Sequence, residues 1–164
     1  MDFKNFKYVV KELTKKDIPA VLKLYFGNPE YFRHCPPSPT SETVKEDMKV
    51  FPPAASEKDK HFIGFFEGNE LIAVMDIIEN YPDNETVFIG LFMVEKGRQK
   101  TGIGTSVVSE IFRSAKAAKY KKVRLGYVKT NLSARDFWKK QGFCETGKEV
   151  PGEFYTVVEA EKVL

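Results

Sequence analysis

The stretch Gln99-Lys100-Thr101-Gly102-Ile103-Gly104 connects two segments of contrasting pattern. Before it, residues 86–94 form a nearly continuous apolar run, which is typical of a strand in the middle of a sheet. After it, apolar residues recur every four positions and predict an amphipathic helix from Gly102 to about Lys119: Ile103, Val107, Ile111 and Ala115. A glycine-containing turn therefore joins a buried strand to a helix.

This turn is suited to binding an anion. The first N–H groups of a helix have no intrahelical partner, and the helix dipole places partial positive charge beside them. Gly102 and Gly104 allow the backbone to approach phosphate oxygens, while Arg98 and Lys100 add positive charge. Two glycines also occur in ordinary turns, so this feature alone leaves both interpretations open.

Two better-known nucleotide-binding motifs do not fit the turn. A Walker A loop requires a Lys-Ser/Thr pair after its last glycine, whereas Gly104 is followed by Thr105-Ser106. A dinucleotide-binding fingerprint requires a third glycine three positions after Gly104, where the sequence has Val107. The sequence therefore does not predict either class of nucleotide site.

The rest of the chain predicts one α/β domain over residues 1–164, with a mixed sheet and the order β-α-α-β-β-β-α-β-α-β-β. Thr14 is a predicted N-cap, and Gly27-Asn28-Pro29 ends the first helix. Residues 29–59 are the least regular, with a short helix from Ser41 to about Val50. Strands are predicted at residues 6–14, 61–66, 71–78, 86–94, 122–127, 143–150 and 154–163, and a last helix at residues 131–140.

A second block lies one helix and one strand after the turn: Asn131, Ala134, Phe137-Trp138 and Gly142-Phe143. With Gln99, Gly102 and Gly104, it resembles the two signatures of the GNAT superfamily of acyl-CoA-dependent N-acetyltransferases. The first signature is Arg/Gln-x-x-Gly-x-Gly/Ala at a strand-to-helix turn. The resemblance covers residues 86–144 and implies the GNAT fold for the chain.

The resemblance implies that acetyl-CoA is the co-substrate. In the family the pyrophosphate rests on the glycine-containing turn, and the pantetheine arm pairs with the preceding strand. The residues that this implies for cofactor binding are Met93, Val94, Gln99, Lys100, Thr101, Gly102, Ile103, Gly104, Thr105, Asn131, Ser133, Arg135 and Trp138, the last as core or cleft wall. A backbone N–H near Val94 is the expected oxyanion donor.

The sequence offers several candidates for the groups that move protons. Many family members have a Tyr in the later block as general acid, whereas this chain has Trp138, whose indole N–H is not an acid at neutral pH. Tyr127, Tyr155 or a water is the alternative acid, or the thiolate leaves unaided. Glu85 and Asp76 are candidate bases. Together with Glu79 and Asp83, they form an acidic group in the sequence that favours a cationic amine.

Composition excludes several other classes of protein. Cys35 and Cys144 match no metal-ligand spacing, so no metal site is predicted. A net charge of +3 is too small to indicate nucleic-acid binding, and no apolar run is long enough to predict a membrane segment. These observations predict a reduced, cytoplasmic protein.

Three functions remain as hypotheses. The first is acetylation of a small cationic primary amine, and the second is acetylation of protein N-termini or lysines. The third is a non-catalytic acyl-CoA-binding sensor or regulatory module, which the absence of the family's Tyr favours slightly. A homodimer is possible, since family members often pair through their C-terminal strands.

Overall fold

A seven-stranded sheet in the order β1-β2-β3-β4-β5-β7-β6 forms the framework of the computed structural model, which describes all 164 residues. Only β4 and β5 are parallel, so the sheet is mixed. The strands are β1 (Val9–Glu12), β2 (Lys60–Glu67), β3 (Glu70–Ile78), β4 (Thr86–Val94), β5 (Lys122–Val128), β6 (Cys144–Pro151) and β7 (Thr156–Val163), and the helices are α1 (Ile18–Phe26), α2 (Pro29–His34), α3 (Ser41–Lys49), α4 (Ile103–Ala117) and α5 (Leu132–Lys140).

The predicted mixed α/β fold is confirmed, with one additional element. The six-residue helix α2 lies in the segment predicted to be irregular, directly after the Gly27-Asn28-Pro29 stop of α1. Pro29 is compatible with it because proline fits the first turn of a helix. The first strand is also shorter than predicted, at four residues. None of the helices combines the length and the apolar character that a membrane-spanning helix requires.

The entry into α1 follows the predicted cap. Thr14 begins a short 3-10 turn that continues into α1, and its N–H donates to the Asp17 carboxylate at 2.8 Å. Such a reciprocal capping box satisfies donors that a helix start otherwise leaves unpaired. The cap fixes the direction in which α1 leaves the sheet.

The helices cover the sheet from both faces. One buried cluster joins α4 and Trp138 of α5 to residues such as Ile63, Ile89 and Leu125 of the strands. The second cluster joins α1 and Val44 of α3 to Phe62, Val74 and Met93 on the opposite face. Residues of the middle strands alternate between the two clusters, as the period of a β-strand requires.

Strands β4 and β5 separate halfway along their length. They pair from Thr86↔Lys122 to Ile89↔Leu125, and Gly90 and Gly126 are the next residues. Beyond them β4 continues along β3 to Val94, and β5 continues along β7 to Val128. Gly90 is exposed in the middle of a central strand, at an irregularity in the β3–β4 register. A gap therefore opens in the sheet from Gly90 onwards.

Candidate functional site

The edge of β4 presents backbone groups to this gap. The N–H of Glu95 donates to the carbonyl of Ile72 in β3 at 2.8 Å. Because successive residues of a strand direct their polar groups to opposite sides, the N–H groups of Phe92 and Val94 point away from β3 into the gap. The N–H group of Met93 points the other way, towards β3. Its side chain is buried in the cluster formed with α1 and α3.

Asn28 and Gln99 fix the end of this edge. The carbonyl of Val94 accepts from Asn28 Nδ2 at 3.2 Å and from Gln99 Nε2 at 3.0 Å. Gln99 Nε2 also donates to Asn28 Oδ1 at 2.6 Å, and Asn28 Nδ2 donates to the Leu24 carbonyl at 2.9 Å. With its carbonyl occupied, Val94 offers its N–H to a ligand. Sequence reasoning took Asn28 only as part of a helix stop, and its burial is visible only in the structure.

The glycine-containing turn has the geometry of an anion site. Gly102 has φ +91°, and a Cβ added to it would have no atom within 4 Å, so the requirement for glycine is conformational. No side chain caps α4, and Ser106 is the first of its residues to donate to a backbone carbonyl, at 2.9 Å from Gly102 O. The N–H groups of Ile103, Gly104 and Thr105 are therefore free for a phosphate.

The basic side chains at this turn have different partners. Arg98 is paired with Glu67 at the end of β2, at 2.5 Å, and with Glu70 at the start of β3, at 2.8 Å. Thr101 Oγ1 donates to the Arg98 carbonyl at 2.6 Å, which stabilises the turn itself. The Lys100 side chain is exposed, and its backbone has φ +62°. Lys100 is thus the cation of this turn that no carboxylate neutralises.

The predicted residues of α5 divide into polar and packed groups. Asn131 Oδ1 caps α5 by accepting from the Ala134 N–H at 3.0 Å, while its Nδ2 makes no hydrogen bond within the chain. Ser133 is exposed, and Arg135 pairs with its neighbour Asp136 at 2.9 Å. Asn131 therefore retains a free donor.

Trp138 lies in an aromatic cluster. Its ring centroid is 4.9 Å from that of Phe137, 5.2 Å from Phe143 and 6.0 Å from Phe92. Only 7% of Trp138 is exposed. These contacts place it in the core beneath the gap, where its indole supports β4.

On the α1–α3 face, a cavity of about 400 Å³ reaches the gap at Gly90. Its walls come from α1, α2, α3, β3, β4 and the β6–β7 loop, so residues distant in the sequence meet there. The lining residues are Tyr25, Tyr31, Phe32, Cys35, Pro36, Pro37, Thr43, Glu46, Asp47, Asp76, Gly90, Leu91 and Tyr155.

Asp76 is the carboxylate nearest to the gap. A Cβ on Gly90 would lie 2.5 Å from Asp76 Oδ2, so the carboxylate occupies the space of the missing side chain. Lys60 Nζ donates to Asp76 Oδ1 at 2.8 Å, and the two side chains are 4% and 13% exposed. Burial raises the pKa of Asp76 to about 6, although Lys60 opposes the rise. Asp76 is mostly ionised at neutral pH and can still accept a proton.

The hydroxyl groups of the cavity are protonated at neutral pH. Tyr25 donates to Asp47 Oδ2 at 2.7 Å, and burial followed by this carboxylate raises the pKa of Tyr25. A hydrogen bond with Cys35, and then burial, raises the pKa of Tyr155 to about 12. Tyr155 therefore retains its hydroxyl proton at neutral pH and lines the same cavity as Asp76.

The other candidates for proton transfer lie elsewhere. Glu85 precedes β4 at the end opposite the gap and forms an ion pair with Lys121. Tyr127 is buried in the α4–α5 cluster and donates to Glu145 at 2.7 Å. Of the four predicted groups, the structure brings only Asp76 and Tyr155 to the cavity.

The acidic group expected from the sequence does not assemble at one place. Asp83 accepts from the Thr86 hydroxyl at 2.7 Å. Burial disfavours the charge of Glu79, but hydrogen bonds from His61, the Met1 amine and Tyr120 prevail and lower its pKa to about 2. The cavity instead combines Asp76 with Glu46 and Asp47 of α3, which the sequence analysis did not select.

Comparisons with known proteins bear on the fold and the family of the chain. A comparison with curated proteins gave no match. Among solved structures, an acetyltransferase from Thermus thermophilus superimposes with a TM-score of 0.75 at 22% identity, covering 95% of this chain and 96% of that one. The ribosomal-protein-S18-alanine N-acetyltransferase of Escherichia coli gives 0.69 at 10% identity, covering 94% and 92%. The IAA acetyltransferase of Bacillus cereus ATCC 14579 gives 0.64 at 17% identity, covering 96% and 100%.

At these identities the similarity to solved structures shows the fold. The sequence itself matches the model of the acetyltransferase (GNAT) family over residues 24–143, a span that includes the glycine-containing turn, the gap in the sheet and most of the cavity lining. The chain is therefore an acyltransferase that belongs to the acetyltransferase (GNAT) family.

Proposed function

We propose that this enzyme transfers the acetyl group of acetyl-CoA directly to the amino group of a small primary amine held in the acidic cavity. The observation that carries the proposal is the position of Asp76. Its carboxylate lies against Gly90, where the gap between β4 and β5 meets the cavity. An acyl donor in the gap and an amine in the cavity would meet beside a group that can accept a proton.

The gap and its turn fit the chemistry of a CoA thioester. The free N–H groups of Ile103, Gly104 and Thr105, with Lys100 beside them, suit the pyrophosphate. The edge of β4 suits the amide-containing pantetheine arm, which can add to the strand through its backbone groups. Asn131 Nδ2 offers a further donor to that arm, and the Val94 N–H is a donor for the thioester oxygen.

The reaction needs no covalent enzyme intermediate. The neutral amine attacks the thioester carbonyl carbon, forming a C–N bond while negative charge develops on the oxygen beside the Val94 N–H. The C–S bond then breaks, the nitrogen gives its proton to Asp76, and the departing thiolate accepts a hydrogen bond from the Tyr155 hydroxyl and takes its proton from solvent. A base with a pKa of about 6 that is paired with Lys60 is suited to this step at neutral pH.

The enclosure of the cavity favours a small acceptor. Helix α2, Pro36 and Pro37 line it on one side, and Tyr155 lines it from the β6–β7 loop. An extended peptide would need an open groove across these elements. A protein acceptor remains the alternative, and a peptide arm in the acceptor assay distinguishes it.

Acetyl-CoA binding is tested first by thermal unfolding, with ATP and NADH as controls. A ligand that binds only the folded state stabilises it by about 2.7 kcal/mol at a hundred times its Kd. We expect a rise in Tm with acetyl-CoA alone, and loss of that rise in Gly102→Glu. Thiol release is then measured with amines, amino acids and lysine-containing peptides. Binding without release would favour a sensor, and no binding would refute the proposal.

A further inference from the structure

The acceptor cavity concentrates negative charge in a chain that is basic overall. Three carboxylates line it, and none of its thirteen lining residues is Lys, Arg or His. In the whole chain, Lys and Arg outnumber Asp and Glu by 26 to 23. The charge of the cavity therefore differs in sign from that of the protein and favours a cationic ligand.

The carboxylates of the cavity differ in how their charge is balanced. Asp76 has Lys60 as a cationic partner at 2.8 Å. Asp47 is half-buried and receives only the neutral Tyr25 hydroxyl at 2.7 Å, and it takes part in no ion pair. Burial accordingly raises the pKa of Asp47. The charge of Lys60 acts on Asp47 without a direct ion pair, and a carboxylate that has lost hydration with no cation in contact is a favourable partner for an ammonium group.

Aromatic walls surround this carboxylate. The ring of Phe32 lies 5.4 Å from that of Tyr25 and 5.1 Å from that of Tyr31, measured between centroids. Such faces pack against a methylene chain and attract an ammonium group at its end. The cavity thus offers an apolar path with acidic groups along it.

We infer that the acceptor carries a second positive charge besides the amine that is acetylated, and that Asp47 selects it. This inference rests on the proposed function. The two carboxylates have separate tasks, because the attacking nitrogen must be neutral and gives its proton to Asp76. The second ammonium stays charged and pairs with Asp47. The substrate class is an aliphatic diamine or polyamine.

The test compares α,ω-diaminoalkanes from diaminopropane to diaminohexane with n-alkylamines of the same length, all at saturating acetyl-CoA. Thiol release gives kcat/KM, and mass spectrometry identifies the product. The variants are Asp47→Asn, which preserves shape and removes the charge, and Glu42→Gln as a matched control. Glu42 lies on the same helix, outside the cavity, and pairs with Lys45 at 2.6 Å.

We expect the wild type to prefer the best diamine to its matched monoamine by at least about tenfold, as one charge-assisted hydrogen bond provides. In Asp47→Asn this ratio falls towards one, while Glu42→Gln retains it. Equal kcat/KM for diamines and monoamines, or an unchanged ratio in Asp47→Asn, would overturn the inference and leave the proposed function standing. Acetyl transfer to none of these amines would overturn the inference, and transfer to none of the amino acids and other amines of the wider acceptor assay would overturn the proposed function as well.

Discussion

Replacing Lys60 by Met tests whether the buried ion pair sets the proton affinity of Asp76. The substitution keeps an unbranched side chain of similar length and removes the ammonium, which donates to Asp76 Oδ1 at 2.8 Å and lies 6.0 Å from the centroid of the Phe62 ring. The remaining charged group that most affects Asp76 is Asp47, which raises its pKa. Without Lys60, the charge of Asp47 is no longer opposed by this ammonium, and the protonated form of Asp76 is favoured.

The size of the effect follows from the lost interaction. A hydrogen bond to a charged group contributes about 1.5–3 kcal/mol, which corresponds to a shift of about 1–2 pKa units. The pKa of Asp76 should rise from about 6 in the wild type to about 7–8. Since the base acts in its ionised form, a higher pKa of Asp76 lowers the activity of the variant at acidic pH. At pH 6.5, a shift of about 1.5 units lowers the ionised fraction by about eightfold.

The assay is the pH dependence of kcat/KM for the amine at saturating acetyl-CoA. This dependence reports the pKa values of the enzyme–acetyl-CoA complex, which is the form that binds the amine. The acidic limb should move upwards in Lys60→Met, and the two profiles should converge above about pH 9. Ionisation of the amine itself affects both enzymes equally. Lys58→Met, in the exposed turn before β2, is the control for removing a nearby charge.

An acidic limb at the same pH in Lys60→Met and wild type would refute this reasoning, provided that the variant unfolds cooperatively and binds acetyl-CoA. A uniform loss of activity at every pH would also contradict it, because that pattern indicates altered structure and not an altered pKa.

Three further substitutions test other parts of the structure. Gly102→Ala places a Cβ in open space at φ +91°, so it should cost about 1–2 kcal/mol of backbone strain, measured by urea unfolding, and raise the Kd for acetyl-CoA. Asn28→Ala removes donors to the Leu24 and Val94 carbonyls and leaves Gln99 Nε2 with the Val94 carbonyl as its one acceptor, so it should destabilise the fold by about 1–3 kcal/mol and raise KM for acetyl-CoA. Hydrogen bonds to Glu12 and Glu79 raise the pKa of His61 to about 9, so its stabilisation is present below about pH 6.5 and is lost as pH rises through 9. His61→Gln should therefore lower stability by about 1–2 kcal/mol at pH 6 and by less at pH 10, and an equal loss at both would contradict the assignment.

Local patterns in the sequence predicted the elements that local forces determine. The Thr14 cap, the helix after Gly102 and the β4 strand depend on neighbours within a few residues, and each is present in the structure. Helix α2 was not predicted because its six residues are too few for a periodic pattern. The proline at its start was also interpreted as the end of α1.

The cavity depends on contacts that local patterns do not contain. Asp47 and Asp76 come from α3 and β3, and only the packing of α1–α3 on the sheet brings them to one wall. Glu85 is closer to the centre of β4 in sequence than Asp76 is, yet it lies at the end away from the gap. The point at which β4 separates from β5 determines which carboxylate can act as the base. That point depends on pairing between strands that are distant in the sequence.

The most direct test of the central claim measures amine-dependent thiol release from acetyl-CoA by the wild type and by Asp76→Asn. Asparagine preserves the shape of the side chain but cannot accept the proton. We predict release that depends on the amine in the wild type, and a loss of about 10²–10⁴-fold in kcat for Asp76→Asn while its Kd for acetyl-CoA stays close to that of the wild type. Equal turnover by the two enzymes, with acetyl-CoA bound to both, would contradict the assignment of Asp76 as the proton acceptor.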